Sequence, residues 1–87
     1  MRTVARMSSS DYVMVSWGDG NSAAIEFGQV ERASSPKARA LVEKCLDKQR
    51  VSVWAGDDNV RYFEKGQPGF VRAALSGIIG ATITGGD

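Results

Sequence analysis

From Tyr12 to Trp17 apolar and small residues alternate with a period of two. Val13, Val15 and Trp17 fall on one side and Tyr12, Met14 and Ser16 on the other, the signature of a half-buried strand. Gly18-Asp19-Gly20-Asn21 supplies residues that tolerate a tight turn, and a return strand is predicted from about Ser22 to Val30, with Ile25 and Phe27 alternating against Glu26. The same sentence is spoken again later. Val51 and Val53 alternate with Ser52 and Trp54, Gly56-Asp57-Asp58-Asn59 turns the chain, and Val60 to Phe63 returns. After each hairpin the period shifts towards 3.6. Ser34-Ser35-Pro36 offers a hydroxyl cap and a proline at the first helical position, and Ala38, Leu41, Val42, Cys45 and Leu46 then make one apolar stripe. Val71, Ala74, Leu75, Ile78 and Ile79 repeat that spacing in a second helix predicted over 70–80.

The order hairpin, helix, hairpin, helix predicts an α+β domain over 1–87, built from two similar strand-strand-helix units at 12–49 and 51–80. The expected arrangement is a four-stranded antiparallel sheet with both helices on one face, or five strands if residues 2–7 add an edge. Strand parity then places Val13, Val15, Trp17, Ile25, Phe27, Val51, Val53, Val60 and Tyr62 beneath the helices. Tyr12, Met14, Glu26, Ser52, Trp54, Arg61 and Phe63 are placed on the open face. Gly77 and Gly80 disfavour a helix interior. Either one of them ends the helix before a short strand or tail over 81–84, or Ala73, Gly77 and Gly80 or Ala81 form a small-residue strip against another backbone, within the fold or across a homodimer.

Charge alters this picture locally. The net charge is only +1, but residues 34–50 carry +3 and the flanking segments −1 each, so the excess lies on the first helix, at Lys37, Arg39, Lys44 and Lys48. Apolar residues at 43% and charged residues at 24% place the chain among folding, soluble proteins rather than disordered ones. A single cysteine excludes an intramolecular disulfide, and neither a signal-peptide h-region nor a membrane-spanning apolar run is present, so a cytoplasmic setting is expected.

Candidate chemistry is sparse. The chain has no histidine, Cys45 sits on the apolar helix stripe, and the carboxylates Asp19, Asp57 and Asp58 stand in turns. Asp19-Gly20-Asn21 opens like a calcium loop but lacks the glycine and glutamate that such a loop requires further on. No enzymatic activity, cofactor or metal is expected. Gly66-Gln67-Pro68-Gly69, the helix carrying Leu75 and then Gly80-Ala81-Thr82-Ile83 are similar to the loop, helix and strand of KH domains, whose GXXG loop clamps nucleic-acid backbone. The proline within the loop, Arg72 and a strand ahead of the loop depart from that pattern.

The open face is the more informative feature. Tyr12, Met14, Trp54, Arg61 and Phe63 have the composition of a protein-interface core. The expected function is therefore a small regulator or inhibitor that acts by protein–protein interaction, of the kind that phages and mobile elements encode. The alternative from a different class is a single-stranded nucleic-acid-binding module that combines the aromatic face with the basic helix face of Lys37, Arg39, Lys44 and Lys48.

Overall fold

A computed structural model describes residues 12–85. The expected extra strand over residues 2–7 lies outside them. The fold is α+β, in the order β1 (Val13–Trp17), β2 (Asn21–Glu26), β3 (Gln29–Ala33), α1 (Pro36–Leu46), β4 (Arg50–Trp54), β5 (Val60–Glu64), α2 (Phe70–Leu75) and β6 (Thr82–Gly85). The strands form two separate sheets: a four-stranded one ordered β3-β2-β1-β6, and the β4–β5 hairpin by itself. All pairings are antiparallel.

This differs from two hairpins laid side by side. The first return strand does not run through to Val30; it breaks at Phe27-Gly28, where both residues have positive φ (53° and 78°), as the two central residues of a type I′ hairpin turn do. A third strand results, and the sheet grows from the first unit plus the C-terminal strand, without the second hairpin. Phe27, expected in the core, is instead 54% exposed at the turn. Gly28 in the middle of a strand pattern was the available signal, since a lone glycine there marks an irregularity.

Register keeps charge out of the core. Ala23 pairs with Ala33 and Ala24 with Arg32, but Ile25 pairs with Val30, so Glu31 is skipped by a β-bulge. Without that slip the carboxylate of Glu31 would point to the side of Ile25, which is fully buried. Val30 takes the place and packs against the core.

Helix α1 begins as its sequence dictates. Ser35 is extended (φ −160°, ψ 162°), its Oγ accepts from the Ala38 N–H at 3.0 Å, and Pro36 follows. Of the apolar stripe, Ala38, Val42 and Leu46 are buried and Cys45 is half-buried, while Leu41 at the margin is 38% exposed. The helix packs over β2, β3 and α2. Its core comprises Val13, Val15 and Ile25 from the sheet, Val42 and Leu46 from α1, and Phe70, Val71, Ala74 and Leu75 from α2, with Ile78 just beyond. Each fully buried Val, Leu or Ile contributes about 1.5–3 kcal/mol.

Helix α2 is shorter than the pattern predicts. It stops at Leu75, so Gly77 and Gly80 stand in the turns that follow, Gly80 with φ +76°. The small-residue strip is therefore not one face of a helix. Ile79, the fifth stripe position, is 93% exposed because the helical register has ended before it. The chain then adds β6 to the edge of β1, with Val15 opposite Ile83 and Ile83 against the core. Arg72 ties the two elements together, its guanidinium donating to the carbonyls of Gly85 (3.1 Å) and Ile83 (3.3 Å). Among the described residues no helix is long and apolar enough to cross a membrane.

Candidate interaction site

The β4–β5 hairpin has two unlike faces, and its register decides which residue lies on each. Val51 is opposite Phe63, Val53 opposite Arg61, Ser52 opposite Tyr62 and Trp54 opposite Val60. One face thus carries Val51, Val53, Arg61 and Phe63, and the other carries Arg50, Ser52, Trp54, Val60, Tyr62 and Glu64. The first is the inner face: Val51 and Phe63 pack against the core. The Phe63 ring lies over Gly69, the residue preceding α2, where a Cβ would come within 2.8 Å of the ring. Gly69 also holds φ +91°, a left-handed conformation. A glycine is thus required there twice over.

The outer face carries the exposed aromatic residues. Trp54 is 70% and Tyr62 61% exposed. They are diagonal neighbours across the ladder, within reach of each other's side chains. Arg50 places its guanidinium 5.2 Å from the Tyr62 ring centroid, a cation–π geometry worth about 0.5–1 kcal/mol at an exposed site. Its N–H group also lies 4.0 Å from a Glu64 carboxylate oxygen. That ion pair is well exposed and contributes little stability, but together the two contacts hold Arg50 flat along the face. The result is a row of Glu64, Arg50, Tyr62 and Trp54 along the face with half-buried Val60 beside it.

The five residues expected to form one partner-binding face are separated. Trp54 is on the outer hairpin face, as its parity required. Phe63 is a correction: it points inwards, and Tyr62, assigned to the core, takes the exposed place. Arg61 is exposed but belongs to the inner side of the hairpin. Tyr12 is half-buried, and Met14, exposed on the far face of the other sheet, lies between Ala24 and Thr84. Sequence reasoning missed Tyr62 and Arg50 because five residues, 55–59, close the hairpin, and a loop one residue longer or shorter would exchange the two faces of β5 relative to β4.

The basic helix face divides likewise. Lys37 and Lys44, seven residues apart, lie on one side of α1, and exposed Lys48 follows beyond the helix end. Arg39 lies on nearly the opposite side. It donates to the Val30 carbonyl at 3.4 Å and meets Glu43 at 3.7 Å, so its charge is engaged within the fold. An open groove of about 730 Å³ between α1 and the β2–β3 turn is lined by Arg39, Glu43, Lys44, Asp47 and Lys65, so cations and carboxylates alternate there and no field of one sign results.

Asp57 and Asp58 are exposed at the tip of the second hairpin and Asp19 at that of the first, and Cys45 is a free, half-buried thiol. Among the described residues no charged or polar side chain is buried, and no cluster of three or more His, Cys, Asp or Glu side chains is placed to hold a metal ion. The segment Gly66–Gly69 follows a strand, β5, and opens a helix of six residues. No protein-family model, curated protein or solved structure matches the chain.

Proposed function

We propose that this protein is a small binding module without catalytic activity, a regulator or inhibitor that docks another protein on the outer face of the β4–β5 hairpin. The observation that carries this reading is the exposure of Trp54 and Tyr62 side by side on a sheet face whose opposite side is anchored in the core. Large aromatic residues with an arginine are the side chains that dominate binding energy at protein interfaces. The Tyr62 ring already carries the Arg50 guanidinium over it, which lowers the ordering cost of that pair on association.

Single-stranded nucleic acid is the second reading, because the same two rings could stack unpaired bases. Charge favours the protein partner. Among the described residues the one cation on this face, Arg50, is matched by Glu64, and the hairpin tip carries Asp57 and Asp58. The lysines of α1 belong to a different element.

The experiment compares the wild type with Trp54→Ser, Tyr62→Ser and the double variant, each checked for folding by circular dichroism. Immobilised protein is exposed to nuclease-treated extract of the source cells, and retained proteins are identified by mass spectrometry. A protein retained by the wild type and lost stepwise in the variants supports the reading. An unchanged retained set, or binding to a single-stranded oligonucleotide that falls steeply with salt and disappears in the double variant, refutes it.

A further inference from the structure

Each sheet edge exposes unpaired backbone groups, and a soluble protein must cover or obstruct them. Among the described residues, three of the four edge strands have a side chain bonded to the backbone. On β3, Arg39 donates to the Val30 carbonyl, and α1 packs along the same strand. On β6, Arg72 takes the carbonyls of Ile83 and Gly85. On β5, the Gln67 side chain accepts from the Glu64 N–H at 2.7 Å while the Gln67 N–H donates to the Glu64 carbonyl at 2.9 Å, which obstructs the C-terminal end of that strand.

Strand β4 is the exception among the described residues: α2 packs against it, but no side chain bonds to its outward backbone groups. In an antiparallel ladder, alternate residues direct both backbone groups at the partner strand and the rest direct both away. The Ala55 N–H donates to the Asn59 carbonyl and the Lys65 N–H to the Gln49 carbonyl, both at 2.9 Å. These bonds fix the parity: Val51 and Val53 bond to β5, and Arg50, Ser52 and Trp54 present their N–H and C=O groups outwards. Beside that edge runs an open groove whose far side consists of Ala73 and Ala74 of α2 and of Ser76 and Gly77 just beyond it, small residues that leave room for another backbone.

We infer that a second copy of this chain occupies the edge, β4 pairing antiparallel with β4 about a two-fold axis at Ser52. The strand is self-complementary in this register. Ser52 faces Ser52 of the second copy, Val51 faces Val53, and Arg50 faces Trp54, so no like charges stand opposite one another. On the outer face each Arg50 guanidinium, already over Tyr62, comes between that ring and the indole of the second copy, a second cation–π contact. At the ends of the paired strands, Lys48 approaches Asp57 and Asp58 of the second copy. Arg50, Ser52 and Trp54 of each copy exchange both backbone hydrogen bonds, and a continuous four-stranded sheet β5-β4-β4-β5 results. Its outer face doubles the aromatic row. The inference rests on the edge of the hairpin and holds whatever the outer face binds.

The test is the mass of the full chain in solution, measured by sedimentation over a wide concentration range. Ser52 is exposed and its side chain makes no bond across the hairpin, so Ser52→Lys and Ser52→Asp preserve the fold, which circular dichroism verifies. The wild type is expected to reach twice the chain mass. Each variant alone is expected to stay at the chain mass, because like charges then meet at the axis, and an equimolar mixture of the two is expected to regain the doubled mass. Ser52→Pro, which removes an outward N–H while sparing the ladder to β5, is expected to remain monomeric. A wild type that keeps the single-chain mass overturns the inference, as does association that survives in both charge variants or a mixture that fails to reassociate. A monomeric wild type that still loses its protein partner on Tyr62→Ser would overturn the dimer and leave the partner reading standing.

Discussion

Gly69→Ala tests how the hairpin is seated. The residue precedes α2 with φ +91° and ψ −12°, in the left-handed region where an L-residue costs roughly 1–2 kcal/mol. A Cβ there would also lie 2.8 Å from Cε2 and 3.0 Å from Cδ2 of Phe63. Contacts that short require the ring to move, and overpacking of this kind adds about 1–3 kcal/mol. Gly66 provides the control. Its φ is +93°, nearly the same, but nothing lies within 4 Å of its hypothetical Cβ. Gly66→Ala should therefore cost only the backbone strain, and Gly69→Ala more by the ring contact. Stability is measured by urea unfolding, followed by tryptophan fluorescence, with the slope checked for constancy. In a Phe63→Leu background, where the ring is gone, the cost of Gly69→Ala should fall towards that of Gly66→Ala, giving a coupling energy of about 1–3 kcal/mol. Equal costs for the two glycines, or a Gly69→Ala cost unchanged by Phe63→Leu, would refute the proposed seating of the hairpin on α2.

Two further predictions concern the core and the tryptophans. Leu75, fully buried between sheet and helices, should lose about 2–5 kcal/mol on substitution by Ala, whereas Leu41→Ala, at the exposed margin of α1, should lose less than about 1 kcal/mol; calorimetric melting of the two variants separates them, and similar shifts would contradict the packing. Trp54 should be quenched by iodide several-fold more efficiently than Trp17, which packs against the core, when each is read in a variant with the other replaced by Phe; a more accessible Trp17 would contradict the assignment of the faces.

Much of the local structure was legible in the sequence because it depends on neighbours along the chain. Val13, Val15 and Trp17 alternate with polar or flexible residues and form a strand with that side inwards. Ser35 and Pro36 start a helix where a cap and a proline must. The opposite parity of the two tryptophans relative to their valines was enough to expose one and half-bury the other. The α+β class follows from the same periodicities.

What lay beyond the sequence was how strands meet, since pairing is settled between segments distant in the chain. Phe27 looked like the continuation of a strand, and only the backbone at Phe27-Gly28 made it a turn. Glu31 and Val30 exchange roles through a bulge that no pattern records. Above all, whether Phe63 or Tyr62 faces the core depended on a register set by the closing loop at 55–59 and by the cavity over Gly69 that receives one ring. A period-two pattern determines that two adjacent aromatic residues point in opposite directions; only the tertiary contact decides which direction is inward, and with it which ring remains on the surface.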